Sequence, residues 1–263
     1  MDEKTQAEWV QRTYARGKAR EYWTSKRDQG LRAHENALVQ NHLKDPASAI
    51  VTIGCGSGRE TFALYEMGFK NVCGVDLCEE LLEAARARSQ RDSLPIPFIK
   101  ANLTELPFAD GSFDVATMFF NVYGHIVPRE ARLRSLREIR RVLRPGGLVL
   151  FDVNSYYISV PHWGVNLLRD LVRLAYNPGG WERGDKKWST QVRNETEDRS
   201  QVVCSHVFRP AEVRQEVAAA GFDVIQATAV KDIVLNVAAQ STWLLGKGPQ
   251  VYAFRKAAEP AGC

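Results

Sequence analysis

The stretch IVTIGCGSGRE, Ile50 to Glu60, decides the fold. Four apolar or β-branched residues read as a buried strand. Gly54, Gly56 and Gly58 then follow at alternate positions, and Arg59 opens a helical pattern. Glycines at a strand-to-helix turn let backbone N–H groups come close to a ligand, and several nucleotide-like ligands use such turns. Two of those uses can be set aside from the letters alone. The dinucleotide fingerprint G-x-G-x-x-G needs a third glycine where this chain has Arg59. A P-loop needs a Lys-Ser/Thr pair, which GSGRE lacks.

Working outward, strands and helices alternate. After the Ile50–Ile53 strand come a helix Arg59–Met67 stopped by Gly68, a strand Asn71–Val75, a helix Glu79–Arg91 and a short strand Phe98–Ala101. SFDVATMFF supplies a strand Asp114–Phe119. A helix Glu130–Leu143 puts Leu133, Leu136, Ile139 and Leu143 on one face, RPGG ends it, and a strand Leu148–Asn154 follows. Such alternation implies a mostly parallel sheet covered on both faces, with ligands bound beyond the carboxyl ends of the strands. Residues 155–200 break the rhythm with aromatics, turn residues and one helix near Val165–Ala175, and read as an inserted cap. A strand Gln201–Val207, a helix Pro210–Ala220, a strand Phe222–Ala229 and a last strand Gln250–Arg255 return to the core. The expected division is an N-terminal helical segment (1–45), a ligand-binding core (46–154), the cap (155–200) and the rest of the core sheet (201–263).

Composition fits one globular chain: 263 residues, 44% hydrophobic and 25% charged, with a net charge of +4. That charge is too small to indicate nucleic-acid binding by itself. No long apolar run predicts a membrane span, and the charged N-terminus does not read as a secretory leader. The five cysteines form no CxxC pair and no zinc-ligand spacing, so no metal is expected and the thiols fit a cytoplasmic protein.

The second chemical signal is Asp76, at the end of the next strand in NVCGVDLC. A carboxylate about 20 residues beyond a glycine loop can accept hydrogen bonds from a ribose diol. With it, the ordered segments IVTIGCGSGRETFALYEMGFKNVCGVDLCEELLEAARAR, ANLTELPFADGSFDVATMFFNVYGH and LREIRRVLRPGGLVLFDVN resemble the class I S-adenosylmethionine-dependent methyltransferase superfamily, in particular small bacterial members with LPF and RVLRPGG segments. The resemblance implies a Rossmann-like α/β fold, a seven-stranded mostly parallel sheet with an antiparallel last strand, and S-adenosylmethionine as cofactor. Gly54, Gly56 and Gly58 would underlie its methionine and ribose parts, and Asp76 with Leu77 its ribose. Asn102 and Leu103 would read the adenine, Asn121 would meet the methionine end, and Tyr22 would close over the cofactor. Two positions depart from the family pattern. Thr52 stands where relatives often carry an Asp that helps receive the cofactor ammonium, and Asn102 stands where they often carry Asp.

Transfer of a methyl from a sulfonium asks the protein mainly to align the acceptor and exclude water, with a base where the acceptor is a hydroxyl or protonated amine. His125, after the fourth strand, and His206 are the candidate bases. Tyr157, His162, Trp163 and Trp188 in the cap are candidate walls of an acceptor pocket. The arginine-rich helix before RPGG reads as a solvated face. The leading expectation is a methyltransferase for a small-molecule acceptor. An RNA acceptor, such as a tRNA wobble base, is the second reading, and a catalytically silent cofactor-binding regulator the third. The sequence is compatible with a homodimer.

Overall fold

The computed structural model describes residues 17–155, 185–189, 202–230 and 249–258, with isolated positions 8, 11, 14, 15, 167, 168, 171, 172 and 232. Helices α1 (Gly17–Lys26) and α2 (Ala33–His42) precede the sheet. The alternating part then runs β1 (Ile50–Ile53), α3 (Arg59–Glu66), β2 (Val72–Asp76), α4 (Glu79–Arg91), β3 (Phe98–Lys100) and β4 (Phe113–Met118). A 3-10 turn, Val122–His125, leads to α5 (Arg129–Val142) and β5 (Leu143–Val153). After β6 (Asp185–Ser189) and β7 (Val202–His206) come α6 (Pro210–Ala219), β8 (Phe222–Ala229) and β9 (Gln250–Lys256).

Seven strands form one sheet in the order β3-β2-β1-β4-β5-β9-β8. β1 to β5 are parallel, whereas β9 is antiparallel to both of its neighbours. This is the expected class I architecture. The order reverses between β1 and β4, so the crevice for a ligand opens at their carboxyl ends. Side-chain alternation sorts the two cores: Val51 and Ile53 pack with Leu136, Ile139, Val213 and Val217 from α5 and α6. Ile50 packs with Leu38, Phe62 and Leu82 from α2, α3 and α4 on the other face.

Three features differ from the sequence reading. RPGG does not form a loop after α5: the helix ends at Val142 and the chain enters β5 at once. The pairing shifts register between Phe113 and Val115 because the extra residues of RPGG bulge out as an exposed run within the strand. β6, inside the segment read as a cap, was not anticipated. It pairs antiparallel with β7, Trp188 opposite Val203, in a sheet of two strands. The strand expected near 201–207 therefore joins this small sheet, not the main one. Its neighbour is the 3-10 turn at the end of β4.

Candidate functional site

A cavity opens where the order of strands reverses. Its wall includes Gly54, Cys55, Gly56 and Ser57 of the loop, Arg59 and Glu60 of α3, Asp76 and Leu77 after β2, and Asn102 and Leu103 after β3. Phe119, Phe120, Val122, His125 and Ile126 close it from the end of β4, and Tyr14 from the N-terminal segment.

The loop holds its shape through left-handed backbone at all three glycines: φ is +67° at Gly54, +53° at Gly56 and +89° at Gly58. A Cβ at Gly54 would lie 2.6 Å from Val122, so the close approach to the 3-10 turn needs glycine as well. Gly58 lies behind the wall, where it starts α3 against Phe62.

Asp76 ends β2 half-buried. Its Oδ2 accepts the N–H of Gly56 at 2.7 Å, and Oδ1 accepts that of Cys78 at 2.8 Å. Burial raises its carboxyl pKa, and the N–H groups of Cys78, Gly56 and Leu77 pull against that rise. One carboxylate thus fastens the glycine loop to the start of α4 and keeps lone pairs for a ligand. Asn102 is held by an Asx turn, its Oδ1 accepting the N–H of Thr104 at 3.2 Å.

Thr52 does not face the cavity. Its side chain is fully buried, with Oγ1 2.5 Å from the hydroxyl of Thr61 and donating to the carbonyl of Cys73 at 3.2 Å. It pins α3 to the sheet. The carboxyl group found on this flank is that of Glu60, which accepts from Thr117 Oγ1 at 3.0 Å. Thr117 is the residue paired with Thr52 across β1 and β4.

Beside Glu60 lies a buried ionic network. Arg59 donates to both Glu35 oxygens, at 2.6 and 2.8 Å, and to the carbonyl of Gly30. His34 Nε2 lies 3.1 Å from Asp152, whose other oxygen accepts the Asn121 N–H at 2.6 Å. His34, Glu35 and Asp152 bring atoms within 4.8 Å of one another. Both Glu35 oxygens are already held by Arg59, so the cluster reads as an ion-pair network tying α2 to α3 and to β5.

Asn121 does not line the cavity. It is buried and left-handed (φ +60°), and its Oδ1 accepts the N–H of Asn154 at 2.8 Å. Phe120 before it is left-handed too, at +65°. Two consecutive non-glycine residues in this region store strain at the cavity wall. Asn121 therefore braces the turn that presents Phe120, Val122 and His125.

Tyr22 is 38% exposed and lies outside the cavity wall, with the ammonium of Lys26 4.9 Å from its ring centroid. Among the described aromatics of the N-terminal segment, Tyr14 reaches the cavity, seated with Ala15 on Cys78 and Leu81. Its ring lies 6.2 Å from that of His125, edge to face. Burial first, then the charge of Asp76, pushes its phenol pKa up, so the hydroxyl stays protonated. Sequence periodicity gave no sign that distinguished Tyr14 from Tyr22. Arg59 and Glu60 were also missed, because polar residues in a first helical turn look ordinary.

His206 is fully buried and does not line the cavity. It lies 2.7 Å from Glu212 and edge-on to Phe208. Glu212 belongs to a second buried network, in which Arg132 donates to Glu216 at 3.0 and 3.1 Å and Tyr123 to Glu216 at 2.6 Å. Burial would raise the Glu212 carboxyl, yet the His206 bond and the charges of His206 and Arg132 bring it below its ordinary value. Tyr157, His162 and Trp163 lie outside the described residues. Trp188 is described as a backbone position in β6.

Residues 51–151 match the family model described as a methyltransferase domain. A putative methyltransferase of Geobacillus sp. strain WCH70 is 34% identical over 125 residues, 46% of this chain and 50% of that protein. A demethylmenaquinone methyltransferase of Clavibacter sepedonicus is 36% identical over 47% of this chain and 48% of its own length. The chain thus spans about half the length of these curated relatives. Among solved structures, Burkholderia thailandensis 1,6-didemethyltoxoflavin-N1-methyltransferase, with bound 1,6-didemethyltoxoflavin and S-adenosylhomocysteine, is similar in fold. Its TM-score is 0.63 at 19% identity, covering 98% of this chain and 92% of that one.

Proposed function

We propose that this chain, whose residues 51–151 belong to the methyltransferase domain family and whose sheet is that of the class I S-adenosylmethionine-dependent enzymes, methylates a small-molecule acceptor. The cavity fits the cofactor. A half-buried carboxylate suits a ribose diol, the Cβ-free backbone of Gly56 suits close approach, and Asn102 with Leu77 and Leu103 suits an adenine edge and face. Bound S-adenosylmethionine supplies a methyl on a positively charged sulfur, open to attack by a lone pair of the acceptor.

The chain's own share is positioning. Phe119, Phe120, Val122 and Ile126 give the acceptor end an apolar wall from which water is excluded. His125 stands in that wall as the group able to take a proton from an acceptor hydroxyl or ammonium. His206, fixed by Glu212 behind the wall, supports the 3-10 turn and is not assigned contact with the acceptor.

The observation that carries the small-molecule reading is this apolar, aromatic wall beside the cofactor residues. The demethylmenaquinone methyltransferase among the relatives lends it support. Titration calorimetry with S-adenosylhomocysteine tests the cofactor part: wild type binds, and Asp76→Ala weakens binding about ten- to hundred-fold. Equal, negligible binding by both proteins would reject it. His125→Ala lowers turnover of an identified hydroxyl acceptor about 10²-fold while cofactor affinity holds.

A further inference from the structure

We propose that Glu60 is the cofactor's ammonium receptor, supplying from helix α3 the carboxylate that position 52 lacks. The inference rests on the S-adenosylmethionine reading above and adds a residue to it. Its basis is the layout around β1 and β4. Thr52 and Thr117 are register partners on these strands. The hydroxyl of Thr52 is turned to Thr61 and the Cys73 carbonyl, whereas that of Thr117 donates to Glu60. A carboxyl group thus occupies the flank of the sheet where Thr52 offers none, reached from the helix instead of the strand.

Glu60 is 4% exposed and stands in the same cavity wall as Gly54 and Phe119. Thr117 provides its one hydrogen bond among the described residues, although a carboxylate can accept several. A carboxyl so deeply buried and so sparsely bonded is suited to a cationic partner that arrives with the ligand. The neighbouring charges agree. Arg59 of α3 is engaged by Glu35 of α2, and Asp152 of β5 by His34 of α2 and the backbone of Asn121. The Cys55 thiol of the loop is kept neutral, chiefly by burial. Burial pushes the Glu60 carboxyl up to about 8; Arg59 and the Thr117 bond pull it down, and Glu35 and Asp152 push it higher. Without a cationic ligand, Glu60 is therefore held protonated at neutral pH.

Formation of an ammonium–carboxylate pair requires that proton to leave for the buffer. At pH 6.5 the free amino acid part is itself an ammonium, so binding releases about one proton from Glu60.

Calorimetry with S-adenosylhomocysteine and 5′-methylthioadenosine, which lacks the amino acid part, tests this. Titrations at pH 6.5 in buffers of different ionisation enthalpy count the protons. Wild type is expected to release about one proton with S-adenosylhomocysteine and about none with methylthioadenosine. Glu60→Gln is expected to abolish the release and weaken S-adenosylhomocysteine about ten- to hundred-fold, leaving methylthioadenosine unchanged. No proton release by wild type, or equal loss of both ligands in the variant, overturns the proposal. If Glu60→Gln does not fold, the wild-type proton count decides alone. Failure of wild type to bind either nucleoside would instead remove the cofactor reading beneath it.

Discussion

Glu60 and Thr52 illustrate how a residue's chemistry depends on which way its strand or helix turns it. Thr52 is central to the motif by its letter, yet its hydroxyl is spent within the core. Glu60 looks like one more acidic residue in a first helical turn, yet it stands in the cavity wall. Its raised pKa makes a stability prediction that needs no ligand. A group protonated in the folded state up to about 8, against an ordinary value of 4.5, binds more protons folded than unfolded across that interval. Its favourable contribution is complete below 4.5 and is lost as pH rises through 8. Glu60→Gln should therefore gain stability relative to wild type over this range, by on the order of a few kcal/mol at pH 8.5. Denaturant melts at pH 5 and pH 8.5 measure it, and a difference that stays constant with pH would show that Glu60 is ionised throughout. A second contrast concerns Tyr14 and Tyr22. Tyr14→Ala should weaken S-adenosylhomocysteine about tenfold, through loss of a buried aromatic contact. Tyr22→Ala, on an exposed ring, should change it by about twofold at most. Aromatic letters in a charged amphipathic segment did not say which would turn inward. The contact of Ala15 with Cys78 and Leu81 decides it, and such a contact leaves no trace in local spacing.

Elements were the most legible level. The parallel β–α alternation, the antiparallel β9 and the switch between β1 and β4 all follow from periodicity and the resemblance, because buried strands and amphipathic helices carry their period in the letters. RPGG was less legible: proline and two glycines look like a loop, and the sheet takes them up as a bulge. The arginine-rich run through α5 and the start of β5 shows a similar limit. Arg132 is fully buried against Glu216, Arg141 binds Glu138, Asp110 and two backbone carbonyls, and Arg144 grips Asp114. Much of what reads as a solvated face is a set of struts. Replacing Arg132 alone by Met leaves the buried Glu216, among the described residues, only the half-exposed Arg129 as a cation and should cost about 3 kcal/mol in unfolding experiments. Arg132→Met combined with Glu216→Leu should recover most of that loss. The glycine loop gives the other element-scale prediction. Gly54→Ala combines a left-handed φ with a Cβ 2.6 Å from Val122, so it should displace the 3-10 turn. The expected result is a lower Tm together with loss of S-adenosylhomocysteine binding.

For the molecule as a whole, the charge distribution bears on the kind of acceptor. The net charge of +4 is modest, and Arg132, Arg141 and Arg144 have carboxylate partners within the chain. Phosphate contacts would have to displace these. A gel shift with unmodified tRNA is therefore expected to show no complex at low salt, where phosphate contacts are strongest. A retained complex that weakens steeply with salt would favour the RNA reading. Among the described residues no helix is long and apolar enough to cross a membrane. The fold was legible at this scale, and the identity of the acceptor was not. The cofactor expectations rest on short ordered motifs, whereas no motif in the letters names an acceptor.

The placement of the cavity walls along the chain has a practical consequence. The described walls of the cavity come from positions 14 to 135, and β8 and β9 complete the sheet without facing the cavity. The part after β5 is tied to these walls through α6, whose Glu216 accepts from Tyr123 and Arg132. A graft that exchanges residues 155–200 for those of a relative is expected to leave affinity for S-adenosylhomocysteine unchanged in calorimetry, because the described cavity walls lie outside that stretch.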